Sequence, residues 1–134
     1  MPLIIWNDSF SVRVKEMDNQ HKTLVDLINK LHDAMKVGKG KEMIGDISAS
    51  LTDYTRKHFA AEEALMKANN YAGYEEQKKA HVHLVSQIVD IQKKYEAGTV
   101  LSQEVITFLK NWLMNHIQGM DQKYGPYLNS KGVL

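Results

Sequence analysis

Four stretches of this chain repeat apolar residues at steps of three and four, and only a few residues separate each stretch from the next. That period is the signature of an amphipathic helix with one buried face, and short connections favour antiparallel neighbours. Helix A is expected over residues 19–37, with Asp18 or Asn19 as its cap and Gly38 and Gly40 after its end; its stripe is His21, Leu24, Ile28, Leu31 and Met35. Helix B, over 41–68, carries Ile44, Ile47, Leu51, Tyr54, His58, Glu62 and Leu65 and stops at Asn69-Asn70. Helix C, over 71–97, carries Tyr74, Gln77, His81, Leu84, Ile88, Ile91 and Tyr95, with Gly98 closing it. Helix D, over 102–121 with Ser102 as cap, carries Val105, Leu109, Trp112 and His116, flanked by Phe108, Leu113 and Ile117. Pro2 and Pro126 fall outside these segments. The expected fold is all-α: one domain over residues 1–134, an up-down-up-down antiparallel four-helix bundle preceded by an N-terminal arm, residues 1–18. The arm around Trp6 is expected to cross the bundle and cover one side of the site described next.

Each stripe turns polar at one end. His21 stands at the start of A, His58 and Glu62 near the end of B, Gln77 and His81 near the start of C, and His116 near the end of D. In an up-down-up-down bundle those four ends are the same end, so the polar residues should meet in one layer. A lone histidine on an apolar face is ordinarily a hydrogen-bonded core residue. Several imidazoles and a carboxylate buried together are another matter, because unpaired buried charge costs several kcal/mol and a bound cation offsets it. The His58 to Glu62 step places a nitrogen and an oxygen donor one turn apart on one face.

Asp121 follows His116 by five residues in HIQGMD, which in a regular α-helix turns it about 140° away. A π-bulge would bring it back, and Gly119 offers backbone freedom for one; the alternative is a helix that ends near Gly119 with Asp121 solvated. His83 should face solvent. His32, at the edge of its stripe, reads as half-buried and hydrogen-bonded, and Glu63, Glu75 and Glu76 fall off their stripes and read as solvated.

The chain has no cysteine, so any metal must be held by imidazole, carboxylate, amide or water. The formal net charge is +1, which excludes the broad basic field that nucleic acid or an anionic membrane attracts. The opening MPLIIWNDSF has no basic region before its short apolar run, and a soluble cytoplasmic protein is expected. Imidazole with carboxylate suits iron, manganese or zinc, and two carboxylates among several histidines suit a two-metal site with ions about 3.5 to 4 Å apart. Two irons are favoured, a pair that can share a two-electron reduction of O2 in a dry pocket. Leu24, Ile28, Phe59, Leu113 and Ile117 are candidates to line that pocket, as well as being ordinary core.

The stretches IIWNDSFSV, DNQHKTLVDLIN, HFAAEEALM and WLMNHIQGMDQKYGPYL, with the region of helix C, together resemble a bacterial hemerythrin over essentially the whole chain. The resemblance implies a non-haem di-iron site in a four-helix bundle that binds O2 reversibly. It implies that His21 and His58 bind the iron that takes O2, and that Glu62 and Asp121 bridge two iron ions along with an oxo or hydroxo group. His81 and His116 would bind the second iron. The family's pattern on helix C is HxxxH, and its first histidine falls at position 77, where this chain has Gln77. An amide oxygen is a weaker neutral ligand, so Gln77 either coordinates poorly, orients a water or leaves the position empty. In the family's arrangement five histidines, two bridging carboxylates and one bridging oxygen fill eleven of twelve positions on two six-coordinate irons. With Gln77 unbound, two positions are open rather than one.

The leading expectation is reversible O2 binding for storage, delivery or sensing, with a modified second iron. A di-iron oxidase or peroxidase is the alternative, and a metal-binding bundle without a redox role is a third reading. O2 is the expected partner and a monomer the expected state; the sequence names no redox partner.

Overall fold

The computed structural model describes residues 3–38 and 40–134; Met1, Pro2 and Lys39, which the sequence reading assigned to the arm and a loop, lie outside the described residues. An arm with one 3-10 turn (Asp8–Phe10) leads into α1 (Lys15–Lys36), α2 (Lys41–Ala68), α3 (Tyr74–Glu96) and α4 (Ser102–His116). A π-helical turn (Ile117–Asp121) then joins α4 to a final helix, α5 (Gln122–Ser130). Helix α1 packs on α2 and α4, and α3 packs on the same two, so the four long helices close a ring. This is the up-down-up-down bundle that the short connections demand.

The stripes are what the ring buries. Leu24, Ile28 and Leu31 of α1, Leu51 of α2, Ile88 of α3 and Leu109 of α4 are all withdrawn from solvent. Each such side chain contributes roughly 1.5–3 kcal/mol relative to exposure. In α2 the buried face drifts along the helix, so Thr55 and Met66 are buried where the stripe named Tyr54 and Leu65, which are only half-buried.

Several helix ends differ from expectation, and at the first three a local hydrogen bond accompanies the difference. Helix α1 begins at Lys15, not near Asn19, with Val14 at the cap position. Asp18 is inside the first turn, where its carboxylate accepts from the Val12 N–H at 2.8 Å and the Ser11 hydroxyl at 2.6 Å, tying the arm to the helix it precedes. Helix α3 starts at Tyr74 because Asn70 takes a left-handed φ of 56° and the Tyr71 N–H returns to the Met66 carbonyl, closing α2. Ser102 is the first residue of α4 rather than its cap; the cap position is Leu101, whose N–H is met by the Glu104 carboxylate at 3.4 Å. Beyond Asp121 the chain stays helical to Ser130, with Pro126 inside α5.

In the arm, Trp6 is half-buried, with the Lys22 ammonium of α1 5.6 Å from its ring centroid. Asn29 holds the arm by a two-way amide pairing with the backbone of Ile4, at 2.8 and 2.9 Å. Further along, Gln122 and Asn129 donate to the carbonyls of Ser9 and Arg13, clamping the arm onto α5.

Candidate metal centre

At one end of the ring, His21, His58, Glu62, Gln77, His81, His116 and Asp121 converge, all buried. They form two overlapping groups of possible metal donors: His21, His58, Glu62 and Asp121, and Glu62, His81, His116 and Asp121. Glu62 and Asp121 belong to both. Asp121 faces one way with Oδ2, 3.1 Å from His21 Nε2, and the other way with Oδ1, 3.1 Å from His116 Nε2. Glu62 Oε1 lies 3.1 Å from His58 Nε2 and 3.4 Å from His81 Nε2, and its Oε2 lies 3.6 Å from His21 Nε2.

Asp121 reaches this layer through the π turn. Ile117–Asp121 hold one wider turn of helix, which cancels the rotation that a regular five-residue step would impose. Gly119 is exposed, its φ is not left-handed, and a Cβ there would meet open space, so the turn does not require a glycine at this position.

The contacts among these donors are short, yet Nε2 of His21, His58, His81 and His116, Oε1 of Glu62 and Oδ2 of Asp121 are buried with no hydrogen-bond partner. Atoms this close without donor–acceptor alignment are arranged around common points rather than toward one another. Neighbouring ligand atoms on an ion with bonds of roughly 2.1 Å stand roughly 3 Å apart. So many orphaned buried groups would be costly in a polar core. A hard cation in each group removes the cost, and the donor set therefore fits two metal ions.

The protonation balance points the same way. Burial pulls the His21 imidazolium down, but its contacts with Asp121 and Glu62 outweigh that and raise its pKa to about 9. Burial opposes ionisation of Glu62, and His58, His21 and His81 nevertheless hold its carboxyl well below the usual range. For His81, burial is again outweighed, by Glu62, Glu63 and Asp121, and the pKa is raised. The metal-free cluster thus keeps the Glu62 carboxylate ionised and draws protons onto His21 and His81 as substitute cations.

A second layer holds the donors in place, and the sequence reading missed it. The far nitrogen of His58, Nδ1, pairs with Gln20 Oε1 at 2.6 Å, and that of His81 with Glu63 Oε2 at 2.9 Å. Such partners fix the tautomer so that Nε2 presents a lone pair to a metal. Glu63, expected to be solvated, is half-buried by this contact, whereas Glu75 and Glu76 are exposed as expected. The Tyr124 hydroxyl donates to Glu62 Oε2 at 2.5 Å. Burial, with the charges of Glu62 and Asp121, raises the Tyr124 pKa well above the ordinary phenol, so it stays a donor. Continuing the helix D stripe beyond Asp121 to Tyr124 and Leu128, steps of three and four, would have found it. His32 is half-buried as expected, but its Nδ1 has no hydrogen-bond partner. His83 is exposed.

Gln77 lies in the first turn of α3 and is 2 % exposed. Its amide nitrogen donates to Asp121 Oδ1 at 3.2 Å, and its amide oxygen is buried without a partner. Of the five apolar pocket candidates, all are buried. Phe59 stacks in parallel on the His81 ring at 3.9 Å and meets His116 edge-on, so it sits against that pair of imidazoles.

The sequence profile described as "Hemerythrin HHE cation binding domain" matches residues 12–128. The chain is 39% identical over 132 residues to a bacteriohemerythrin of Methylococcus capsulatus, covering 97% of this chain and 100% of that one. It is 36% identical over 124 residues to a bacteriohemerythrin of Pseudomonas aeruginosa, covering 92% and 80%. To a myohemerythrin of Riftia pachyptila it is 32% identical over 120 residues, covering 90% and 89%. A crystal structure of wild-type hemerythrin superposes with a TM-score of 0.85 at 39% identity, over 94% of this chain and 98% of that one. Among the described residues no helix is long and apolar enough to cross a membrane. Matched over most of its length by the profile, by these relatives and by a solved hemerythrin bundle, and carrying a donor set that fits two ions, the chain belongs to the hemerythrin family of di-iron, O2-binding proteins.

Proposed function

We propose that this protein binds O2 reversibly at a di-iron centre, in storage, delivery or sensing, with His21, His58, Glu62, His81, His116 and Asp121 as iron ligands. The observation that carries this reading is the pair of donor groups sharing two carboxylates, one from α2 and one from the π turn. The iron pair, when bound, supplies two electrons to O2 and recovers them on release.

The chain's own residues do the rest. Glu62 and Asp121, which belong to both donor groups, would help hold both ions. Gln20 and Glu63 hold His58 and His81 in the tautomer that leaves Nε2 free to bind. Tyr124 keeps its own proton and donates a hydrogen bond to the Glu62 carboxylate, which orients it. Leu24, Ile28, Phe59, Leu113 and Ile117 exclude water, which protects a reversible site from loss of the bound gas to side reactions.

The test is iron content per chain by elemental analysis, with visible spectra recorded through cycles of reduction, air exposure and deoxygenation. Two irons and a spectrum that returns with each cycle are the expected result. Irreversible oxidation on first exposure, or fewer than two irons, would sink the carrier reading. The amide at position 77 favours a second reading, an oxidase or peroxidase of the same centre, because it weakens or removes one ligand. Turnover of peroxide with a reducing co-substrate that is suppressed by Gln77→His would establish that reading instead.

A further inference from the structure

Two of the four imidazoles have an outer partner, Gln20 for Nδ1 of His58 and Glu63 for Nδ1 of His81. His116 has none. Its Nε2 faces Asp121 Oδ1 at 3.1 Å, its side chain is only 5 % exposed, and among the described residues no hydrogen bond reaches its Nδ1. Nδ1 of His21 is unpartnered too, but that atom is sealed from solvent, whereas Nδ1 of His116 is not among the sealed atoms. With a metal on Nε2, the other ring nitrogen of a histidine carries the proton and is a donor that ordinarily meets an acceptor.

A cavity of about 480 Å³ lies between α3 and α4, and of the seven residues of the cluster His116 alone lines it. Nδ1 is the polar atom His116 can present there. The Trp112 indole N–H is spent on the Leu84 carbonyl at 3.2 Å, so Trp112 offers the cavity only ring surface. Phe108 and Leu84 extend that apolar wall, and Asn111 and Asn115 line it from exposed positions. Among the described residues the lining holds no lysine, arginine, aspartate or glutamate. Such a wall disfavours a charged occupant through desolvation and suits a flat apolar body. The one buried donor in it calls for one acceptor.

From the unpartnered nitrogen and the uncharged aromatic cavity beside it, we infer that this cavity is a binding site for an uncharged aromatic molecule bearing a carbonyl group. The carbonyl oxygen accepts from His116 Nδ1–H, and the ring lies against Trp112. The inference rests on the di-iron reading above, since a metal on Nε2 is what leaves the proton on Nδ1. The bound molecule does not touch the metal. It does for His116 what Gln20 and Glu63 do for His58 and His81, and so couples occupancy of the cavity to the hold on iron.

The probes are acetophenone and ethylbenzene, which have nearly the same shape and differ by the carbonyl oxygen. Iron-loaded protein, with two irons per chain by elemental analysis, is titrated with each by calorimetry. A cavity that is merely apolar prefers ethylbenzene, because a carbonyl must give up its water to enter. Acetophenone is instead expected to bind roughly 3- to 10-fold tighter, the worth of one hydrogen bond. At saturation it should slow release of one of the two irons to a chelator by about tenfold, as an outer partner of a metal ligand does. Ala80→Leu, which enlarges a side chain of the α3 wall, should abolish binding of both probes at unchanged iron content. Tighter binding of ethylbenzene, binding of neither probe, or acetophenone binding that leaves iron release unchanged would each overturn the inference, and these need no variant. Acetophenone binding undiminished by Ala80→Leu would overturn it too, by placing the probe elsewhere. An iron content below two per chain in the unmodified protein would instead overturn the di-iron reading on which the inference stands.

Discussion

The Tyr124 hydroxyl and the Glu62 carboxylate meet at 2.5 Å in the interior, joining the last helix of the chain to the second across a gap of 62 residues. Both are 1 % exposed. A hydrogen bond to a buried charge contributes about 1.5–3 kcal/mol. Tyr124→Phe keeps the ring and removes that bond, so the metal-free protein should lose stability of that order in urea unfolding. Iron bound through Glu62 should also be released to a chelator about 10- to 100-fold faster, the usual cost of losing a partner of a metal ligand. An unchanged release rate would mean that Glu62 needs no such orientation.

Glu63 should behave as the partner of His81 and not as a solvated carboxylate. Glu63→Ala is expected to weaken retention of one of the two irons by about 10- to 100-fold, read as biphasic release to a chelator. Glu75→Ala, an exposed change two residues before Gln77 on α3, is the control and should release iron as the unmodified chain does.

Gly125 lies under the arm so closely that a Cβ there would come within 2.2 Å of the Val12 carbonyl oxygen. Neither the Val12 backbone nor α5 can yield cheaply, because the Asp18 carboxylate holds the Val12 N–H and the Gln122 and Asn129 amides clamp the arm on either side. Gly125→Ala should destabilise the fold by about 1–3 kcal/mol, the usual cost of overpacking, and should expose the arm to limited proteolysis. Gly119→Ala, with open space around it, should be neutral or slightly stabilising in the same urea assay.

His21 ties stability and metal binding to pH in opposite directions. Its pKa in the folded, metal-free protein is about 9 against an ordinary 6.5. The protonated ring therefore stabilises the metal-free fold fully below pH 6.5, and that contribution is lost as pH rises through about 9. Iron must displace the same proton, so affinity should climb by about tenfold per pH unit across that window if one proton leaves. The check is a pair of series between pH 6 and 10: urea midpoints of the metal-free protein, expected to fall, and metal affinities, expected to rise. In His21→Asn the pH slope of both should flatten.

Much of this was legible before any coordinates. The step of three and four in each segment, with Gly38, Asn70 and Gly98 at the turns, sufficed for helix count and antiparallel order, because a stripe has one face and a short loop has one way to return. The convergence of His21, His58, Glu62, His81 and His116 follows from that order alone. What stayed hidden depended on contacts between segments. Asp18 looked like a cap because aspartate at a helix start ordinarily is one; it turned inward to the arm because Val12 and Ser11 were within reach. Pro126 was placed outside the helical segments, yet α5 runs through it. Glu63 looked solvated by its position on the wheel, and only the nearness of His81 on another helix gave it a partner.

The division has a physical reason. Periodicity is a property of one helix, so the sequence by itself determined which face of each helix is buried and which end of the bundle gathers polar groups. Pairing is a property of two helices, and distances of 3 Å between side chains depend on axial shift and rotation that no single segment encodes. Only the tertiary structure decided that Asp121 swings back through a π turn, that Tyr124 and Glu63 serve the donors, and that the Gln77 amide turns its nitrogen to Asp121 and leaves its oxygen free.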